Sequence, residues 1–223
     1  MNDAAFSLRK WNGRLFHSGR LCRRGTFTSI MKWILASASP RRKELLAELI
    51  EEFEIIPSLA DENLVGDFTP EMLVKALAEL KAKEVASRPE NKGKMVVGSD
   101  TVVAFDGKVL GKPKDEADAF RMLKMLSGKA HAVYTGVCFV RQDEDGYFVD
   151  TRAEKTAVYF NDLTDEWIKE YIQGGSPMDK AGAYGIQDGG LVERIEGSYT
   201  NVVGFPIELV KEMMKDIQGG GNG

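Results

Sequence analysis

From Lys32 onward, short apolar runs alternate with stretches in which apolar residues recur every three or four positions. That alternation predicts a mixed α/β domain. WILA at 33–36 reads as a first strand, and Ser39-Pro40 then supplies an N-cap with proline at the first helical position, opening a helix that turns Leu45, Leu46 and Leu49 inward. Thr69-Pro70 repeats the signature before a helix with Leu73, Ala76, Leu77 and Leu80 on one stripe. MVV at 95–97 and TVVAF at 101–105 flank GSD, and Asp106-Gly107 signals a hairpin into KVL at 108–110. Asp115 to Leu126 is an amphipathic helix with Phe120, Leu123 and Leu126 inward and Gly128 as its C-cap. The runs at 132–140 and 147–160 bracket DEDG and predict a long hairpin. Thr164 caps a helix carrying Trp167, Ile168, Tyr171 and Ile172 that stops at Gly174-Gly175. A loop at 176–187, a strand near 191–195 and a helix from Pro206 to about Asp216 complete the pattern, with no internal repeat.

Composition narrows the chemistry. Of 223 residues 30 are Lys or Arg and 34 are Asp or Glu, and no stretch approaches the ~20 apolar residues of a membrane span. The charge is uneven: residues 1–30 hold six basic residues against the single Asp3, leaving the rest of the chain with an excess of about nine acids. Residues 1–30 therefore read as a basic N-terminal extension, 31–218 as one domain, and 219–223 as a flexible tail. Cys22, Cys138, His17 and His131 are the whole supply of thiol and imidazole, which excludes a Cys/His zinc site or a disulfide framework. A metal here has to be a hard cation such as Mg²⁺ or Mn²⁺ held by carboxylates.

Three segments concentrate chemistry. In SASPRRKELL at 37–46, Arg41 and Arg42 stand in the first turn of a helix, where the macrodipole disfavours cations. An anion bound there by Ser37, Ser39 and both guanidiniums resolves the conflict, and phosphate fits. Asp100 lies between two apolar runs, either as a turn residue or as a carboxylate at a strand end that activates water or holds a metal; Lys112 follows in LGKPK. GKVLGKP at 107–113 is one residue short of a P-loop and has Pro113 where the Mg²⁺-binding hydroxyl belongs, so it is not one. DKAGAYGIQ at 179–187 joins Asp179 and Lys180 to small residues that allow close backbone approach, and ends in Gln187, whose amide can match the O4 and N3–H of uracil or thymine. A flipped amide also matches cytosine.

LASASPRRKELL at 35–46, GSDTVV at 98–103, LGKP at 110–113, LSGKAHAVYTGV at 126–137 and DKAGAYGIQ together closely resemble the Maf family of nucleoside triphosphate pyrophosphatases, in order, from about Lys32 to Lys215. The resemblance implies two lobes around a nucleotide cleft, a fold related to that of inosine triphosphate pyrophosphatases, and metal-dependent hydrolysis to monophosphate and pyrophosphate. It makes Asp100 the proton acceptor and Arg41, Lys81 and Lys112 the phosphate-handling cations, with Lys83 close enough to Lys81 for the two to be exchanged. It places Glu62 on the cleft, able with Asp100 to hold Mg²⁺ or Mn²⁺. Arg42, Thr101 and Gln187 match the subgroup acting on dTTP and UTP. A homodimer in the cytoplasm is implied, with organelle targeting by residues 1–30 left open and with neither nucleic acid nor membrane as a partner. The alternatives are a pyrophosphatase for 7-methyl-GTP or modified purine nucleotides, and a nucleotide-binding regulator of cell division.

Overall fold

A computed structural model describes residues 31–144 and 146–219; the expectations for 1–30 and for 220–223 lie outside the described residues. Ile34 and Leu35 are fully buried, which puts β1 (Trp33–Leu35) inside the sheet. β1 runs parallel to β2 (Phe53–Ile55) on one side and to the start of β3 (Met95–Phe105) on the other. β4 (Lys108–Leu110) folds back on the end of β3, and β5 (Ala130–Asp143), β6 (Gly146–Phe160) and β7 (Val192–Glu196) continue the sheet antiparallel, in the order β2-β1-β3-β5-β6-β7. The helices are α1 (Pro40–Ala47), α2 (Pro70–Ala86), α3 (Glu116–Leu126), α4 (Asp165–Gln173), α5 (Tyr199–Val203) and α6 (Ile207–Gly219). Among the described residues no helix is long and apolar enough to cross a membrane.

The long strands pass through two lobes. At one end Val103, Leu110, Val133, Val158 and Phe160 pack with Leu123 and Leu126 of α3 and Ile168 of α4. At the other, one face carries Leu35, Val97, Phe139, Leu46, Phe205 and Met213. The opposite face there carries Ile34, Val96, Cys138 and the alanines of α2.

Strand pairing leaves an opening between the lobes. β1 covers only Met95–Val97 of β3, and β4 covers only Val103–Phe105 on the same edge. Residues 98–102 therefore lie uncovered by either, with Asp100 at the centre. GSD is not a turn but the middle of an 11-residue strand; the polar break in the apolar pattern marks the place where a neighbouring strand stops.

Helix α2 docks over that stretch. A Cβ on Gly98 would come within 2.2 Å of the Ala78 carbonyl oxygen, and one on Gly136 within 2.3 Å of that of Val74. The two glycines let the helix backbone lie against the sheet. The buried face is Val74, Leu77, Ala78, Lys81, Ala82, Val85 and Ala86; it keeps Leu77 of the predicted stripe but is rotated by about one residue from Leu73, Ala76 and Leu80. The reason is contact distance: the α2 backbone at Val74 and Ala78 seats directly on Gly136 and Gly98. That rotation carries Lys81 inward.

Other differences are local. β2 and α5 span three and five residues, too short for periodicity to reveal, and the predicted loop at 176–187 winds through successive 3-10 turns. Helix α6 runs to Gly219, past the expected end near Asp216 and into the segment expected to be a flexible tail.

His131 belongs to the core, with Nε2 2.8 Å from the Tyr184 hydroxyl and Phe160 edge-on at 4.8 Å. Burial pulls its imidazole down to about 4. The unfolded chain binds that proton near pH 6.5, so the folded state keeps its full stability above about pH 6.5. It loses up to ~3 kcal/mol as the pH falls through about 4. Urea midpoints followed from about pH 7.5 to about pH 4 should show this loss, and His131→Gln should flatten it.

Candidate active site

The chain leaves the sheet after β1 and turns at once into α1. Ser37 Oγ accepts the Ser39 N–H at 3.2 Å, and Ser39 Oγ caps the Arg42 N–H at 3.5 Å. This strand-turn-helix forms one wall of a cleft of about 350 Å³ that the uncovered edge of β3 opens between the lobes. Lys112, just past β4, and Asp179, from the 3-10 segment, come to it from the other lobe. Glu62 and Lys81 close the remaining side.

Lys81 joins two carboxylates. Its Nζ lies 2.6 Å from Asp100 Oδ1 and 2.9 Å from Glu62 Oε2. Asp100 is 9% exposed and Lys81 8%, so this is a nearly dry ion pair with its outer end, Glu62, in solvent. Lys83 instead pairs with Glu79, which also accepts from Thr151 of β6, and Lys81 is the lysine of α2 that lines the cleft. The loop bearing Glu62 is tied to α2 through Glu84, which accepts from Ser58 Oγ and the Leu59 N–H and pairs with Arg88. Burial pushes the Glu84 carboxyl up, but these donors together hold it below the usual range.

The two arginines divide their work. Arg41 points across the cleft to Asp179, Nη1 to Oδ2 at 3.3 Å. Arg42 instead donates to the Gly204 and Ser99 carbonyls at 3.0 and 2.9 Å, to Thr101 Oγ1 at 3.2 Å and to Ser37 Oγ at 3.4 Å. Burial lowers its pKa, with Asp100 opposing. The guanidinium thus satisfies carbonyls at the sheet opening and ties α1 to β3.

Not every residue singled out by sequence lines the cleft. Ser37, Ser39, Arg41, Arg42, Glu62, Lys81, Lys112 and Asp179 do, and Asp100 stands directly behind Lys81. Thr101 points to the opposite face of β3, where it meets Arg42 and Thr135 Oγ1. Lys180 pairs with Asp179 at 3.1 Å; burial pushes the Asp179 carboxyl up, and Lys180 and Arg41 hold it low. Gln187 is exposed on the 3-10 turn Ile186–Asp188. Pro57 and Ser58 also line the cleft, which nothing in their local sequence announces. Gly204, whose carbonyl receives Arg42 and Ser99, was equally silent.

An acidic chain has here gathered four cations, Arg41, Arg42, Lys81 and Lys112, against the carboxylates of Glu62 and Asp179 on the lining and of Asp100 behind Lys81. The N-terminus of α1 adds its partial positive charge. Such a site favours a polyanion. Fold and site together define a two-lobed α/β protein with an anion-binding cleft beside a buried carboxylate–lysine pair.

The chain belongs to the Maf family: residues 32–217 match the family of Maf-like proteins. The dTTP/UTP pyrophosphatase of Thermococcus gammatolerans is 51% identical over 179 residues, covering 79% of this chain and 92% of its own. That of Geotalea uraniireducens is 50% identical over 184 residues, 82% and 93% of the two chains. Among solved structures, the Staphylococcus aureus Ham1 protein has a similar fold, with a TM-score of 0.50 at 13% identity over 82% of this chain and 98% of its own. The expected mixed α/β architecture is thereby met.

Proposed function

We propose that this protein hydrolyses dTTP and UTP to the nucleoside monophosphate and pyrophosphate. The observation that carries the reading is the line Asp100–Lys81–Glu62 set into the sheet opening opposite Arg41 and Lys112. The two relatives with about half their residues identical are pyrophosphatases for those nucleotides, which supports the same substrates here.

In this reading the triphosphate lies along the α1 N-terminus, its charge met by Arg41, Lys112 and the Ser37 and Ser39 hydroxyls. Asp100 takes a proton from water as the water oxygen bonds to the α-phosphorus. The bond from that phosphorus to the bridging oxygen breaks in line, and pyrophosphate leaves with the electron pair, stabilised by the same cations. Lys81 fixes the Asp100 carboxylate by one oxygen and leaves the other for the proton. Arg42 holds the wall against which the phosphates bind.

Among the described residues no three His, Cys, Asp or Glu side chains gather as a metal cage. The donor set suits a Mg²⁺ or Mn²⁺ ion shared with substrate, because two carboxylates completed by phosphate oxygens are an ordinary environment for such a cation. Asp100 and Glu62, whose carboxylates Lys81 only partly occupies, would hold it. Bound there, the cation would neutralise phosphate charge. The cytoplasmic homodimer implied by the family resemblance belongs to this proposal as well.

The test is to incubate the full chain with Mg²⁺ or Mn²⁺ and dTTP, UTP, CTP, GTP, 7-methyl-GTP and ITP, measuring monophosphate and pyrophosphate separately. Pyrophosphate is expected mainly from dTTP and UTP. Faster release from 7-methyl-GTP or ITP would overturn the pyrimidine reading, and no turnover of any nucleotide would overturn hydrolysis itself.

A further inference from the structure

The turn carrying Gln187, Ile186–Asp188, stands between glycines. Gly185 precedes it, and Gly189 and Gly190 follow with φ of 73° and 75°. Glycine adds no side chain to anchor the turn on either side. Helix α4 supplies what the turn lacks. The Tyr171 hydroxyl accepts the Gly185 N–H at 3.1 Å and donates to Asp188 Oδ2 at 2.5 Å. Those two partners bracket Ile186 and Gln187, and one hydroxyl can serve both because it carries a proton and two lone pairs.

The ring behind that hydroxyl is itself fixed. Trp167, one turn earlier, stacks on Tyr171 at 5.3 Å and 16°. It also lies so close to Gly190 that a Cβ there would come 3.0 Å from the indole. Inside, Tyr184 is held by His131. A Cβ at Gly185 would lie 2.8 Å from both Asp188 Oδ2 and Lys180 Cε, so the turn packs on the lysine that pairs with Asp179 and, through it, with Arg41. The Gln187 turn and the Arg41–Asp179 pair at the cleft thus share one support.

We infer that Tyr171 is a positioning residue for substrate selection: its hydroxyl sets the Gly185–Asp188 turn so that the Gln187 amide meets the pyrimidine edge. The inference rests on the proposed hydrolysis of dTTP and UTP together with the expectation, from the sequence, that the exposed Gln187 amide meets the base. Packing alone does not account for the arrangement, since the Trp167 stack would be the same with phenylalanine at 171.

The experiment is a double-mutant cycle on the full chain with Mg²⁺ and UTP, using Tyr171→Phe, Gln187→Ala and the pair, with kcat, KM and thermal midpoint measured for each. Loss of a hydrogen bond predicts that Tyr171→Phe raises KM about 3–10-fold, with kcat within about twofold and the midpoint nearly unchanged. Gln187→Ala should raise KM at least as much, and the double variant should resemble Gln187→Ala, because both remove one contact. Normal kinetics for Tyr171→Phe beside an impaired Gln187→Ala would overturn the positioning role and leave base reading intact. Additive effects, or a fall in kcat at unchanged KM, would also overturn it. A Gln187→Ala variant with wild-type KM would overturn the base reading, and this inference with it.

Discussion

Asp100→Asn is expected to lower kcat on dTTP by at least ~10²-fold, the size of a general-base contribution, with the fold retained. The amide is isosteric and its oxygen can still accept from Lys81, but it cannot take a proton from water at neutral pH. Lys81 is not stranded by the change either, because Glu62 remains 2.9 Å away. This matters because removing one member of a buried pair is otherwise costly, on the order of 3–5 kcal/mol. Circular dichroism and the thermal midpoint should therefore stay near wild type while pyrophosphate release collapses. Near-normal turnover would mean that another group, or solvent alone, accepts the proton, and Asp100 would then serve only to hold Lys81.

A large loss of stability is expected from a single methyl group. In Gly136→Ala the new Cβ would sit 2.3 Å from the Val74 carbonyl oxygen, 2.5 Å from its carbon and 2.9 Å from the Lys75 nitrogen. All three are backbone atoms of α2 and cannot swing aside as a side-chain tip can. The helix has to lift, at a cost of ~3 kcal/mol or more, which for a domain of this size lowers Tm by about 10 °C. Activity should fall further than stability does. Lys81 rides on the same helix one to two turns on, and lifting it loosens the grip on Asp100. Gly111→Ala is the control for stability, since nothing lies within 4 Å of a Cβ there; its Tm should hold. Calorimetry on the two variants decides the matter, and an unshifted Gly136→Ala would show that α2 does not depend on that close approach.

These two expectations also show how the site is built. Asp100 and Gly136 are cross-strand partners in the register of β3 and β5. The carboxylate and the glycine that admits the helix thus lie side by side on one face of the sheet, under the helix that brings Lys81. Polar chemistry and close packing are one arrangement here: the ion pair is short because the backbones are close, and the backbones are close because two side chains are missing.

The amino-acid sequence alone determined the alternation of strands and helices, the capped starts of α1, α2 and α4, the β5–β6 hairpin, and the residue types of an anion site. Those are local signals: an N-cap, a proline at the first turn, an alternating run or a pair of arginines acts within a few residues. It also marked Asp100 as anomalous, a charge inside an apolar run. What the tertiary structure decided is which residues meet. That β1 stops before Gly98 and β4 begins only at Val103 follows from pairing between segments far apart in the chain, and no window around Asp100 contains it. The choice of Lys81 over Lys83 turned on a helix rotation of about one residue, set by glycines on two other strands. The division between Arg41, aimed at the cleft, and Arg42, held by Gly204 and Ser99, likewise depends on carbonyls more than fifty residues away. Local patterns fix elements because their energies are local; the cleft is fixed by contacts between elements, and those exist only once the chain has folded.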